Sequence, residues 1–142
     1  MTNMYRYGYV VIVYCGMRCN PLCRDEYGQK YRWVEFDPQK LREAVIKIDR
    51  RTAAEIIKKI REQDEWEEWY TNVCNAHDCA RNVARKRYEF EKQLLETLGV
   101  TYVERECSTC GGGECVVDFD YPPSFIIVDA IYERFPDLLD DA

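Results

Sequence analysis

Apolar positions along the chain repeat with a period of two near its start, of three to four through its middle, and of two again later. Residues 7–14 are rich in Val, Ile and Tyr and read as a buried strand. Residues 15–30 hold three cysteines, two glycines and a proline, so a loop is expected there. Residues 31–36 alternate, with Tyr31, Trp33 and Glu35 on one side and Arg32, Val34 and Phe36 on the other, and form a second strand. Asp37-Pro38 is a helix start, because Asp caps the first amides and Pro suits the first helical position. Leu41, Ala44, Val45 and Ile48 then mark one helix face. Thr52-Ala53-Ala54-Glu55 has the form of a capping box and predicts a second helix. Ala53, Ile56, Ile57, Ile60 and then Trp66, Trp69, Tyr70 and Val73 are expected on its buried side.

A third helix is predicted over 78–98, with Val83, Ala84, Phe90, Leu94, Leu95 and Leu98 as its stripe and Gly99 as its stop. The stretch from Cys74 to Cys79 reads either as a turn or as continuing helix. Strands are expected at 101–106 and 115–119, joined by a glycine-rich hairpin tip at 107–114. Residues 124–135 read as a helix capped by Ser124, or as a strand through Phe125-Ile126-Ile127-Val128 and then a short helix. Pro136 stops this element, and an acidic tail follows. The expectation is one α+β domain over 1–142 in the order β-β-α-α-α-β-β-α. A small, mainly antiparallel sheet of about four strands would be covered by a long helical hairpin, with one or two further helices.

Composition narrows the class. The chain has 142 residues, 46% of them hydrophobic and 32% charged, which excludes a disordered or collagen-like chain. Its longest apolar run is too short to span a bilayer, and neither a secretory signal nor a lipid-anchor pattern is read, so an intracellular protein with no membrane role is expected. Eight cysteines accompany only one histidine, two serines and four glutamines, while opposite charges crowd the helices. That bias is the one expected of a hyperthermophile, where intracellular disulfides also occur. In composition the chain resembles small proteins of hyperthermophilic archaea and their viruses.

The cysteines carry the strongest local pattern. Cys107-Ser108-Thr109-Cys110-Gly111, entered from one strand and left by another, resembles a zinc knuckle, half of a zinc ribbon. The resemblance implies two thiolates converging on one tetrahedral Zn²⁺; Cys15 and Cys19, just beyond the first strand, or Cys19 and Cys23 could supply the remaining ligands. Disulfides use the same residues equally well: Cys115 would lie across the hairpin tip from Cys107, and Cys74 and Cys79 flank a helix break. Structural Zn²⁺ and disulfides without metal therefore stand as competing expectations.

Other constellations are weaker. His77, one turn from Cys74, could pair with a thiolate, but nothing orients such a pair, and no catalytic residue is assigned. Glu104, Glu106, Asp118 and Asp120 could hold Mg²⁺ as a nuclease does, and are more simply a solvated strand face. Val116-Val117-Asp118-Phe119-Asp120 resembles the strand and Asp-x-Asp opening of haloacid-dehalogenase-type phosphatases, with little chain after it for that family's other motifs. Arg81, Arg85 and Lys86, followed by Arg87, form a basic helix segment suited to a phosphate backbone, against a formal net charge of -6. The expected function is a non-catalytic interaction or regulatory protein, with a protein partner or homo-oligomer. A DNA-binding regulator and a metal-dependent nuclease are the alternatives.

Overall fold

The computed structural model describes residues 4–13, 28–74, 77–110 and 118–139. The fold is α+β and mostly helical. Strands β1 (Tyr5–Val13), β2 (Gly28–Phe36) and β3 (Tyr102–Cys110) make an antiparallel sheet in that order. The register runs from Tyr5↔Phe36 to Val13↔Gly28 on one side of β2, and from Phe36↔Tyr102 to Gly28↔Cys110 on the other.

The alternation in β2 explains its central place. Val34 and Phe36 are fully buried on the face that meets the helices, where Tyr5, Tyr7 and Tyr9 of β1 also pack. Trp33 is buried on the opposite face, and its ring nitrogen donates to Glu35 at 3.1 Å. Glu35 in turn pairs with Arg105 of β3 at 2.9 Å. Gly8 lies opposite Trp33. A Cβ at Gly8 would sit 2.2 Å from the Arg32 carbonyl oxygen and 2.5 Å from the Trp33 Cβ, so only glycine lets β1 close on β2 there.

Helix α1 (Pro38–Ile46) starts as the sequence predicts, with the Asp37 carboxylate accepting from the Gln39 amide at 2.9 Å. Helix α2 (Arg50–Val73) starts earlier than the capping box suggests. Its cap is Asp49, which accepts from the Thr52 amide at 2.8 Å, so Thr52 is the third helical residue and not the cap. An N-cap side chain reaches the amide three residues on, and Asp49 already satisfies the one at Thr52.

Helix α3 (His77–Thr97) ends in a Schellman turn. Gly99 has φ +70°, the Val100 amide donates to the Leu95 carbonyl at 2.9 Å, and the Gly99 amide donates to Glu96 at 3.0 Å. Helix α4 (Pro123–Arg134) resolves the last segment in favour of helix, followed by a 3₁₀ turn at Pro136–Leu139. Its N-cap is Pro122, not Ser124, and Pro122 has no side-chain donor or acceptor to offer.

The sheet differs from the expected four strands. Among the described residues it has three, and β3 continues through Cys110 where a hairpin tip was expected. Residues 118–120 are irregular, while the rest of the expected fourth strand and most of the tip lie outside the described residues. Asp120 is bound to the edge of β1: its carboxylate accepts from the Arg6 amide at 3.0 Å, and its own amide donates to the Arg6 carbonyl at 2.7 Å.

The core is one cluster joining β2, all four helices and the final turn, including Leu41, Val45, Ile57, Leu95, Ile127 and Ile131. Helix α1 packs on α4, and the Arg134 guanidinium donates to the Val45 and Ile48 carbonyls, both at 2.7 Å, closing the C-terminal end of α1. Helices α2 and α3 run antiparallel, as the bonds from Asn82 to Tyr70 and from Arg87 to Asp64 require. No helix among the described residues is long and apolar enough to cross a membrane.

Candidate functional site

Two features stand out on the α2–α3 pair, one buried and one exposed. The buried one centres on Glu91, which has no solvent exposure in the middle of α3. Its carboxylate accepts from the Ser124 amide at 2.8 Å, from the Ser124 hydroxyl at 2.6 Å and from Arg87 Nε at 3.0 Å. Arg87 also reaches Asp64 at 2.6 Å, Glu67 at 3.4 Å and the Ser124 hydroxyl at 2.9 Å.

This cluster explains how α4 begins. A helix N-terminus leaves amides without partners, and Pro122 cannot serve them. Glu91 supplies the missing acceptor from another helix, where negative charge is also favoured by the helix dipole. Burial pushes the Glu91 carboxyl above its ordinary range, against the Ser124 bonds and the Arg87 charge. Burial would lower Arg87, but the charges of Glu91, Glu67 and Asp64 outweigh it and hold the guanidinium above its usual value. Burial, reinforced by the charge of Glu91, drives the nearby Tyr7 hydroxyl far above the usual phenol range. With Ser124 also buried, Ser124 and Glu91 are closed to substrate. Among the described residues, every buried side-chain nitrogen and oxygen has a partner. The cluster acts as an internal cap and cross-link.

The exposed feature lies on the distal half of α2. Ala53, Ile56, Ile57 and Ile60 form the buried stripe. Continuing it at helical spacing leads to Asp64 and Glu67, which serve Arg87. The aromatic residues come two or three positions later, and at about 100° per residue that turns them away from the core. Trp69 is 60% exposed and Val73 58% exposed, which corrects their expected burial. Trp66 and Tyr70 stack at 4.9 Å beside α3, Lys86 lies 3.9 Å over the Trp66 ring, and Asn82 donates to the Tyr70 hydroxyl at 3.2 Å. These residues, with Arg85 and Glu89, line an open groove of about 340 Å³.

The residues singled out from sequence fall in different places. Arg85 and Lys86 are exposed at this groove, and Arg81 lies on α3 with its side chain outside the described part. Arg87 is taken up by the buried cluster. Cys107 is a half-buried thiol on β3 opposite Tyr31, and Cys110 ends that strand opposite Gly28. Cys15 and Cys19 lie outside the described residues. Cys74, just after α2, is disulfide-bonded.

Among the described residues, no three His, Cys, Asp or Glu side chains gather to hold a metal ion. The strand carboxylates have other partners. Glu104 accepts from Lys92 at 2.9 Å and from the Tyr88 hydroxyl at 3.1 Å, Glu106 faces Arg32 at 3.8 Å, and Asp120 holds β1. Sequence reading missed Glu91 and Tyr88, which are fully buried on α3 although each carries a polar group. Their one signal was spacing, since both fall on the helical stripe of Leu95. No protein-family model, curated protein or solved structure matches this chain.

Proposed function

We propose that the chain is a non-catalytic interaction protein of regulatory type, working inside a hyperthermophilic archaeal or archaeal-viral system. The observation that carries this reading is the outward turn of Trp69 and Val73 on a helix whose other face is already buried. Large apolar side chains are costly to leave in water, and aromatic residues ringed by charge are the usual anchors of protein contacts. The buried polar cluster supports the same reading, because its hydrogen-bonding capacity is spent on holding helices together. The test is affinity capture with the intact chain and its Trp69→Glu variant. A partner held by the wild type and lost by the variant supports the reading. Equal recovery of every bound species by both proteins rejects this surface.

One observation favours a second reading, a DNA-binding regulator: Arg85 and Lys86 are exposed beside the stacked Trp66 and Tyr70. It requires a salt-sensitive gel shift that is lost on Arg85→Glu/Lys86→Glu. The cysteines are proposed to be structural, as a Zn²⁺ site including Cys107, Cys110, Cys15 and Cys19 or as disulfides. A zinc assay separates the two, and intact mass before and after reduction counts the bridges beyond the one at Cys74, at about 2 mass units each.

A further inference from the structure

Among the described residues, the core cluster takes nothing from α2 after Ile60 and nothing from α3 before Tyr88. Beyond that point the two helices are held to each other by polar and cation–π contacts. Arg87 pairs with Asp64 at 2.6 Å, Lys86 lies 3.9 Å over the Trp66 ring, and Asn82 donates to Tyr70 at 3.2 Å. As these contacts advance along α2 they retreat along α3. One further turn brings Cys74, four residues after Tyr70, level with Cys79, three residues before Asn82. Positions three, four and seven apart share a helix side. Cys74 follows Glu67 by seven and Cys79 precedes Lys86 by seven, so both cysteines stand on the faces that the helices turn to each other. Cys74 is disulfide-bonded and half-buried, next to Val73 at 58% exposure.

We propose that the disulfide of Cys74 joins it to Cys79, as a redox-sensitive clasp on the open end of the α2–α3 pair. The pairing holds whether the remaining cysteines bind zinc or form further bridges. A dithiol opens the clasp. Its thiolate attacks one sulfur, the Cys74–Cys79 bond breaks, and its second thiol resolves the mixed disulfide. Two electrons and two protons pass to the cysteines, which become thiols, and the dithiol becomes a disulfide. Only the noncovalent contacts then hold the last turn of α2 to the first turn of α3. The core from Tyr88 onwards keeps its packing, so the opening is local and not global.

Two measurements on the full chain test the proposal. Trypsin cuts after Lys and Arg, and neither occurs between Arg61 and Arg81, so Cys74 and Cys79 share one peptide, 62–81, that holds no other cysteine. Digestion without reduction should release this peptide by itself, about 2 mass units lighter than after reduction. A cross-link from it to any other peptide overturns the pairing, as does a peptide already at its reduced mass. Amide hydrogen exchange then tests the clasp. In Cys74→Ser/Cys79→Ser the amides of 69–74 and 77–82 should exchange about tenfold or more faster than in wild type, with 88–95 unchanged. Wild type in dithiothreitol should match the variant, and supplies the same comparison if the variant misfolds. Equal exchange with the bond closed and open overturns the clasp. So does faster exchange throughout the chain, which would make the bond part of the global fold. A bond that dithiothreitol leaves closed removes the redox role.

Discussion

Replacing Glu91 is the sharpest test of how this fold is held. Its carboxylate takes three hydrogen bonds, two from Ser124 at 2.8 and 2.6 Å and one from Arg87 at 3.0 Å, with no exposure to water. Glu91→Ala leaves the Ser124 amide without an acceptor in the first turn of α4 and takes one anion from a guanidinium that is only 12% exposed. Removing one member of a buried pair costs about 3–5 kcal/mol. The lower end is expected, because Asp64 and Glu67 remain on Arg87. Glu91→Gln keeps the shape and an acceptor for Ser124 but loses the charge, so a cost of about 1.5–3 kcal/mol is expected. Ser124→Ala removes only the hydroxyl and should cost about 0.5–1.5 kcal/mol. Guanidinium chloride titrations read these values from shifts in midpoint at constant slope. The order Glu91→Ala, Glu91→Gln, Ser124→Ala is the prediction. If Glu91→Ala costs no more than Ser124→Ala, the carboxylate does not cap α4 and the reasoning fails.

Other expectations follow from the same geometry. Asp49→Ala should lower the melting temperature more than Thr52→Ala, because Asp49 is the acceptor at the start of α2; the reverse order would return the cap to Thr52. Gly8→Ala should destabilise by about 1–3 kcal/mol in chemical denaturation, since the strands must part around the new Cβ. Glu104 is held below its ordinary 4.5 by Lys92 and Tyr88; Glu35 sits below the same value because the Trp33 and Arg105 bonds outweigh its burial. Just below that value the unfolded chain therefore binds more protons than the folded one. The stability these two carboxylates add is complete above pH 4.5 and is lost as the pH falls beneath it. Melting curves across this range should show the loss, and Glu104→Gln should flatten it. A thermal midpoint well above the mesophile range of about 45–65 °C is expected, and a midpoint inside that range would withdraw the hyperthermophile assignment.

Much of the fold is local chemistry and was legible in the chain. Asp37-Pro38 starts α1 and Gly99 ends α3 because each supplies a backbone conformation or an acceptor that the neighbouring residues need. The alternation from Tyr31 to Phe36 fixes which side chains of β2 meet the helices, since a strand turns over at every residue. The stripe from Ala53 to Ile60 likewise identifies a buried face. The start of α2 is local as well, but the capping box misplaced it: Asp49, three residues earlier, takes the Thr52 amide. Where two local signals competed, only the tertiary structure chose. Residues 125–128 suit strand or helix, and packing on α1 with the Glu91 cap selects helix.

The site was less legible. Periodicity shows which residues share a face but not whether anything covers that face. Trp69 and Val73 therefore read as core until α3 is seen to pack on a different side of α2. Glu91 reads as one more charge on a solvated helix until α4 begins against it. A charged side chain becomes buried when a distant segment brings the donors that repay its lost hydration. That pairing of residues 33 positions apart is written in no local pattern, and only the packed structure decides it.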